Sequence, residues 1–438
     1  MRETRLSHEP HSFGASALLK EIQADDWGLV SVSVYETARV VSLVPWLTGH
    51  SARLDFLCAA QAPDGSWGEA DGYSFVPTLS ATEALLATLC RLPAGAPEHQ
   101  RISLAASRGL AALERSLQDG ADFSIPDTIA VEIIAPALIG EINTHLELLA
   151  RHEYPLVNAD SRLRLPDGIT PASQASLRAA LSREGAHAQK LWASLEAFGS
   201  TAAEAPFIRP SGGAVGCSPA ATAAWLNASP ERDPGAVDYL ERLQARCGGP
   251  VTGVTPITYF EPAWALVSVA SANLDYSVPP ELLDTLDSGL GEYGAPAGPG
   301  LPPDSDDTAG VLYALMLHGR LRRPDSLLHF RSDGYFSCFP GERTPSTSTN
   351  AHVLEALGGY LAREPSQRPT FGPSVDMVAT WLLDNQRADG SWQDKWHASA
   401  YYATASCVLA LAEYDTARSA AAVARAVEWT LGTQREDG

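Results

Sequence analysis

Asp304, Asp306 and Asp307 place three carboxyl groups within four residues, in Pro303-Asp304-Ser305-Asp306-Asp307-Thr308-Ala309. The small apolar run Ala309-Gly310-Val311-Leu312-Tyr313-Ala314-Leu315 follows at once, and glycine and proline crowd the approach from Gly294 to Pro303. This pattern predicts a loop that delivers three acids to the first turn of a buried helix. Aspartate is favoured at helix N-caps, so capping alone is one reading. A cap needs a single acid, however. Three like charges this close repel, and one carboxyl relieves the repulsion by keeping its proton. A protonated aspartate facing an apolar cavity is a strong acid in a dry place, and its chemistry is proton donation.

The rest of the chain must supply that cavity. Its 438 residues suggest two or three domains, and a hydrophobic content of 45% with 19% charged residues suits large cores. No window approaches 18 apolar residues, so no membrane span is expected. Met1-Arg2-Glu3-Thr4-Arg5 is not followed by an apolar signal region, and a cytoplasmic location is expected. The net charge of −21 argues against a nucleic-acid partner. An anionic substrate would need a locally basic pocket or a divalent cation. The six cysteines, at 58, 90, 217, 247, 338 and 407, form no CxxC or Cys/His cluster. Neither a zinc site nor a disulfide framework is indicated, and buried thiols in a reducing compartment are expected.

Helical periodicity runs through Ala81–Arg91, Ile102–Gln118, Ala172–Ala197, Ala220–Leu226 and Ala420–Leu431, with Gly/Pro-rich connections between. Strand-like alternation is rare, so the expected class is all-α. A repeat is visible as well. Gln61-Ala62-Pro63-Asp64-Gly65-Ser66-Trp67 returns as Gln386-Arg387-Ala388-Asp389-Gly390-Ser391-Trp392, with degenerate copies at 331–336 and 211–215. Asp-Gly supplies a turn, the tryptophan packs back on the preceding helix, and the glutamine bonds free backbone groups. These units are expected to stabilise an α/α barrel rather than to catalyse.

These residues resemble the class II terpene cyclases. Asp304-Ser305-Asp306-Asp307-Thr308-Ala309 matches their DxDDTA acid motif, and the DGSW repeats resemble their QW units. Ser31-Val32-Ser33-Val34-Tyr35-Glu36-Thr37-Ala38 resembles SxSxYDTAW. Val131–Leu138, Arg162–Pro166, Ser194-Leu195-Glu196, Pro256–Trp264, Ser332–Phe339 and Asp394–Tyr402 resemble further family segments. The matches are collinear from about residue 27 to the C-terminus.

The resemblance implies two α/α-barrel domains, a γ domain at 48–205 inserted into a β domain formed by 1–47 and 206–438, with the active site between the barrels. It implies an intramolecular lyase or isomerase that protonates an alkene and bicyclises a linear prenyl diphosphate with the diphosphate retained. No DDxxD motif for ionising a diphosphate is present. The substrate expected is geranylgeranyl diphosphate, or farnesyl diphosphate going to a drimenyl-type product. By resemblance Asp306 donates the proton, and Asp304 and Asp307 tune it. Candidates for stabilising the cation are Tyr259, Phe260, Trp264, Tyr335, Phe336, Phe339, Trp396, Tyr401 and Tyr402. Arg162, Arg164, Lys190 and Lys395 are candidates for the diphosphate. The family's Mg²⁺ would fall to Glu132 and Asp122, although the acidic cluster here matches only loosely. The His–Asn pair that ends the reaction in plant relatives aligns with Ala193 and Gly253, so a different terminating base or product is expected. A homodimer is compatible with the sequence. The competing readings are a squalene–hopene-type triterpene cyclase and an inactive helical-barrel binding protein.

Overall fold

The computed structural model describes residues 14–436 except 70–71, 94, 119–124, 126–127, 129, 152–161, 167–178, 180–188, 190, 205–207, 230 and 273–275. Among the described residues the regular structure is helical, and the β contacts are isolated bridges. The helices are α1 (Ala15–Ala24), α2 (Val34–Leu43), α3 (His50–Ala59), α4 (Phe75–Arg91), α5 (His99–Ser116), α6 (Val131–Ala150), α7 (Pro219–Ala228), α8 (Pro234–Cys247), α9 (Phe260–Ser271), α10 (Pro280–Gly289), α11 (Ser305–Leu317), α12 (Thr347–Arg363), α13 (Arg368–Asp384), α14 (Ala400–Tyr414) and α15 (Thr416–Thr433). A 3₁₀ segment spans Leu195–Glu204. Most of the helix expected over Ala172–Ala197 lies outside the described residues.

One core gathers α1 with α9 to α15; a second gathers α2 to α7, and a smaller one joins α2, α7 and α8. Helix α2 packs on α4 and α7, so α2 to α7, around the second core, form the first unit in chain order, and α9 to α15 with α1 form the second. Helices α2 and α7, on either side of the expected 48–205 domain, contribute to both the second and the third core. The reason is amphipathic: α2 buries Ala38 and Val41 in the second core and Val40 in the third.

The repeat builds the helix starts. In both clear copies the glutamine amide donates to two carbonyls, Gln61 to Gly65 and Ala105, Gln386 to Gly390 and Ala422. Trp67 and Trp392 are fully buried, and each indole N–H donates to a carbonyl ten residues back, 2.7 Å away. A further element was not legible in the sequence. The residue after each turn donates its N–H to a polar side chain in the next helix: Trp67 to Thr78, Val215 to Thr222, Ala295 to Thr308, Phe336 to Asn350 and Trp392 to Thr404. Thr308 of the acid motif is therefore also the repeat's anchor. The device that builds each barrel helix start sets the acids in place.

Helix α6 is long and apolar enough to cross a membrane by length and composition, which the sequence reading did not anticipate. Half of that stretch is buried inside the protein, where Val131, Ile133, Leu138, Ile142 and Leu146 join the second core. All six cysteines are free. Cys217, Cys338 and Cys407 are buried as expected, whereas Cys90 is exposed.

The first unit also encloses acids. Glu36, under the N-terminus of α7, accepts from Ala220 N (2.6 Å) and Ser218 Oγ (3.2 Å). Glu196 accepts from the Tyr35 hydroxyl at 2.5 Å. Burial raises Glu36 to about 8 and Glu196 to about 7. A carboxyl raised on folding contributes stability that is complete below its unfolded value of 4.5 and is lost as pH rises through the folded one. Each such group is expected to lower stability by about 1.4 kcal/mol per pH unit between roughly pH 5 and 7. Urea unfolding at pH 5.5 and 7.5 checks this, and Glu36→Gln should flatten the slope.

Candidate active site

Helix α11 starts with the acids and is gripped on several sides. Asp304 is its N-cap and accepts from Asp307 N at 2.8 Å. Ser305 is fully buried; its N–H donates to Cys338 O (3.0 Å) and its hydroxyl to Ser337 O (2.8 Å). The loop leading in crosses residues of the first unit. Cys217 Sγ donates to Pro299 O at 3.1 Å, and Gln189 Nε2 to Gly300 O at 3.3 Å. A Cβ at Gly298 would lie 2.1 Å from Pro256 O, so only glycine fits there.

The three carboxyls are not equivalent. Asp304 and Asp307 are buried, while the Asp306 side chain keeps 24% of its surface exposed. Burial pushes Asp304 up to about 7. Burial and the Asp304 charge push Asp307 further up. Burial and mutual repulsion therefore favour keeping a proton within the buried pair. Asp307 Oδ1 has no hydrogen-bond partner, so the pair adds no further bond that would favour full ionisation.

Asp306 has a separate partner. Its Oδ1 lies 2.8 Å from Nδ1 of His352, a buried residue of α12. Burial alone would lower the imidazole, but the Asp306 carboxyl outweighs it and holds His352 above its usual value. With its proton on Nδ1, His352 donates to Oδ1 and leaves the other Asp306 oxygen clear of that bond. The imidazole ring rests against Trp264 of α9, centroids 4.3 Å apart, with Tyr402 at 6.3 Å edge-on. Gly310, one turn after Asp306, admits Trp264: a Cβ there would stand 2.9 Å from the indole. The arrangement is a hydrogen-bonded acid with aromatic neighbours, suited to protonating an apolar group and surviving the cation that results.

Comparison with known proteins bears directly on this constellation. Residues 343–438 match the family described as the squalene-hopene cyclase C-terminal domain. The chain is 42% identical to the ent-copalyl diphosphate synthase of Streptomyces sp. (strain KO-3988), covering 97% of this chain and 80% of that protein. It is 36% identical to the labda-7,13-dienyl diphosphate synthase of Streptomyces clavuligerus, covering 97% and 79%. The solved structure of the ent-copalyl diphosphate synthase from Streptomyces platensis superposes with a TM-score of 0.88 at 50% identity, covering 97% of this chain and 83% of that one. The chain belongs to the class II terpene cyclases. Such an enzyme begins cyclisation by protonating an alkene.

His352 is the principal residue of the cyclase that sequence reasoning missed. It sits in no quoted motif. A signal existed: the polar start Ser346-Thr347-Ser348-Thr349-Asn350 is almost wholly buried, which a helix tolerates only when those groups are bonded. Asp394, read only as part of a motif, organises that start. Its side chain is fully buried and accepts from Ser346 Oγ (2.7 Å), Thr347 N (2.7 Å), Ser348 N (3.3 Å) and Trp396 N (2.9 Å), with His397 Nδ1 at 3.1 Å. Burial would raise this carboxyl, but the hydrogen bonds from His397, Ser346, Trp396 and Ser348 hold it well below the carboxylate range. Asp394→Ala should cost about 3 kcal/mol or more, because it strips the cap from the helix that carries His352. Denaturant unfolding measures this.

The aromatic candidates of the cyclase divide. Trp264 and Tyr402 flank His352, and Tyr402 stacks on His397 at 4.0 Å. Phe260, 40% exposed, meets Trp264 edge-on at 6.1 Å. Phe336 is fully buried in the barrel core, and its backbone pairs with Asn350. Tyr401 packs on Trp429 of the outer helix α15, and Tyr335 on Trp381 of α13. Tyr259 packs against the core and Gly289, Phe339 is half-buried, and Trp396 lies under Lys395 at 4.7 Å.

The cationic candidates are also scattered. Lys395 pairs with Glu342 at 2.5 Å, both nearly buried, and donates to Thr344 O. That charge is already neutralised and braces the loop, since Glu342 also accepts from Cys338 N. Arg162 pairs with Glu147 at 2.5 Å on the surface. Arg164 donates to Leu117 O at 2.7 Å. Lys190 and Asp122 lie outside the described residues. Glu132 is half-buried in the first turn of α6. Among the described residues no three His, Cys, Asp or Glu side chains gather as a metal site. Ala193 adjoins Gly216 and Gly253 adjoins Val30; neither position carries a base.

Proposed function

We propose that this cyclase folds geranylgeranyl diphosphate into a bicyclic copalyl-type diphosphate, with Asp306 as proton donor. The single observation that supports this most is the Asp306–His352 hydrogen bond beside Trp264, in a chain 42% and 50% identical to proteins named ent-copalyl diphosphate synthases. In this reading the partly exposed oxygen of Asp306 gives its proton to the terminal alkene. His352 donates to the other oxygen and stabilises the carboxylate left behind. Asp304 and Asp307 keep the helix start fixed and, by sharing one proton, keep the local negative charge low. Trp264, Phe260 and Tyr402 offer ring faces to the cation. The diphosphate leaves the reaction intact because nothing in this chemistry ionises it.

In this reading Glu132, half-buried in the first turn of α6, would be one carboxylate ligand of a Mg²⁺ ion that draws its other ligands from phosphate oxygens and water, with Asp122 as the second candidate. Such an ion would neutralise the diphosphate and anchor it. Arg164 is the proposed cation for the diphosphate among the described residues, whereas Lys395 serves the loop. Bicyclisation is tested by incubating the protein with geranylgeranyl and farnesyl diphosphates, with and without Mg²⁺, then treating with phosphatase and identifying the alcohols by mass spectrometry. A bicyclic C20 alcohol is expected. Uncyclised alcohol from both substrates would sink the proposal.

A further inference from the structure

Gly310 is buried inside α11, where alanine is the better helix former. Its backbone is not in the left-handed region that calls for glycine at other positions of this chain. The reason for a glycine here is a neighbour. A Cβ at Gly310 would stand 2.9, 3.1 and 3.2 Å from three atoms of the Trp264 indole. The same indole rests against the His352 ring, centroids 4.3 Å apart, and meets Phe260 edge-on at 6.1 Å. The indole, carried by α9, therefore touches α11 through Gly310 and α12 through His352. Its N–H is buried and has no hydrogen-bond partner among the described residues, so the indole serves this place by its surface and not by a bond. His352 in turn is buried, with Tyr402 edge-on at 6.3 Å, and directs Nδ1 at Asp306 Oδ1 over 2.8 Å. Asp306 and Gly310 stand one turn apart on α11. The contacts thus close a circuit: Asp306 to His352, His352 to Trp264, and Trp264 to Gly310.

We infer that Gly310 is a positioning residue for the proton donor: by leaving room for the Trp264 indole, it holds the His352 imidazole where Nδ1 meets Asp306. This rests on the reading of Asp306 as proton donor. The hydrogen bond fixes one atom of the imidazole, and the indole beside it supports the plane of the ring. A methyl group at position 310 would belong to the backbone of a buried helix and could not swing aside. The indole would have to move by about 0.5 Å or more to recover van der Waals contact. The imidazole resting on it would then follow or lose its support, and the bond to Asp306 would lengthen or bend. Reactive geometry tolerates little of this, since a misplacement of about 1 Å can cost about 10²-fold in rate. Gly310 carries no group that could bind or react. It acts through two other side chains, and its effect belongs to kcat rather than to substrate binding.

Steady-state kinetics of the whole chain with geranylgeranyl diphosphate test this through coupling. Gly310→Ala should lower kcat by about tenfold or more, with KM within about threefold of wild type. In a His352→Phe background the same change should lower kcat by less than about twofold, because the group it positions is gone. Losses that multiply in that double variant, or a loss carried by KM, would overturn the inference. Trp264→Phe supplies a rescue, since the smaller ring makes room for the methyl. Gly310→Ala/Trp264→Phe should match Trp264→Phe alone in kcat, and this pair carries the test if Gly310→Ala by itself does not fold. A deficit of about tenfold in the rescued variant would show that the methyl acts elsewhere and would also overturn the inference. Asp306→Asn, run alongside, should lose cyclisation; activity surviving there would instead overturn the assignment of the acid.

Discussion

Asp306→Asn is expected to lower kcat by about 10³ to 10⁴-fold while the fold survives. Asparagine keeps the shape and can still meet His352, but it has no proton to give. Asp306 is the one acid of the three that is partly exposed, and its replacement leaves the Asp304 cap and the Ser305 and Thr308 anchors untouched. Unfolding in urea should therefore shift by less than about 1 kcal/mol. Asp304→Asn makes the useful contrast. Asparagine caps a helix as well as aspartate does, so the helix should hold while the shared proton is disturbed. Measuring kcat and the unfolding midpoint of both variants separates a reacting acid from an N-cap.

His352→Phe should lower kcat by about 10²-fold with little change in KM. Phenylalanine keeps a ring against Trp264 but removes the donor to Asp306. A hydrogen bond to a charged group is worth about 1.5–3 kcal/mol, and each 1.4 kcal/mol is tenfold in rate. The bond strengthens as charge develops on Asp306, so its loss falls on the transition state rather than on substrate binding. A KM that rose in proportion, with kcat kept, would instead make His352 a wall of the pocket.

The helical class, the repeat and the three acids were all legible because each is local. Periodicity of 3.6, an Asp-Gly turn and a cluster of like charges can be read within a dozen residues. What escaped the sequence lies at long range. His352 meets Asp306 across 46 positions, and the Asp394 cap on α12 spans a similar gap. Neither residue is unusual for its own segment. How α2 and α7 divide between the cores was not legible, because both are apolar on more than one side and only packing decides which core takes them. The cation candidates show the limit of residue type. Lys395 stands in a motif-like segment yet is neutralised by Glu342, 53 positions away. Phe336 went to the core for a related reason: its anchor, Asn350, lies in the next helix.

The central claim is that a carboxyl exchanging its proton with solvent starts the cyclisation. Running the reaction with geranylgeranyl diphosphate in D₂O tests it most directly. The account predicts a bicyclic diphosphate carrying one solvent deuterium on the ring carbon formed from the terminal alkene, and no such product from Asp306→Asn. Cyclised product without deuterium, or release of pyrophosphate during cyclisation, would contradict it.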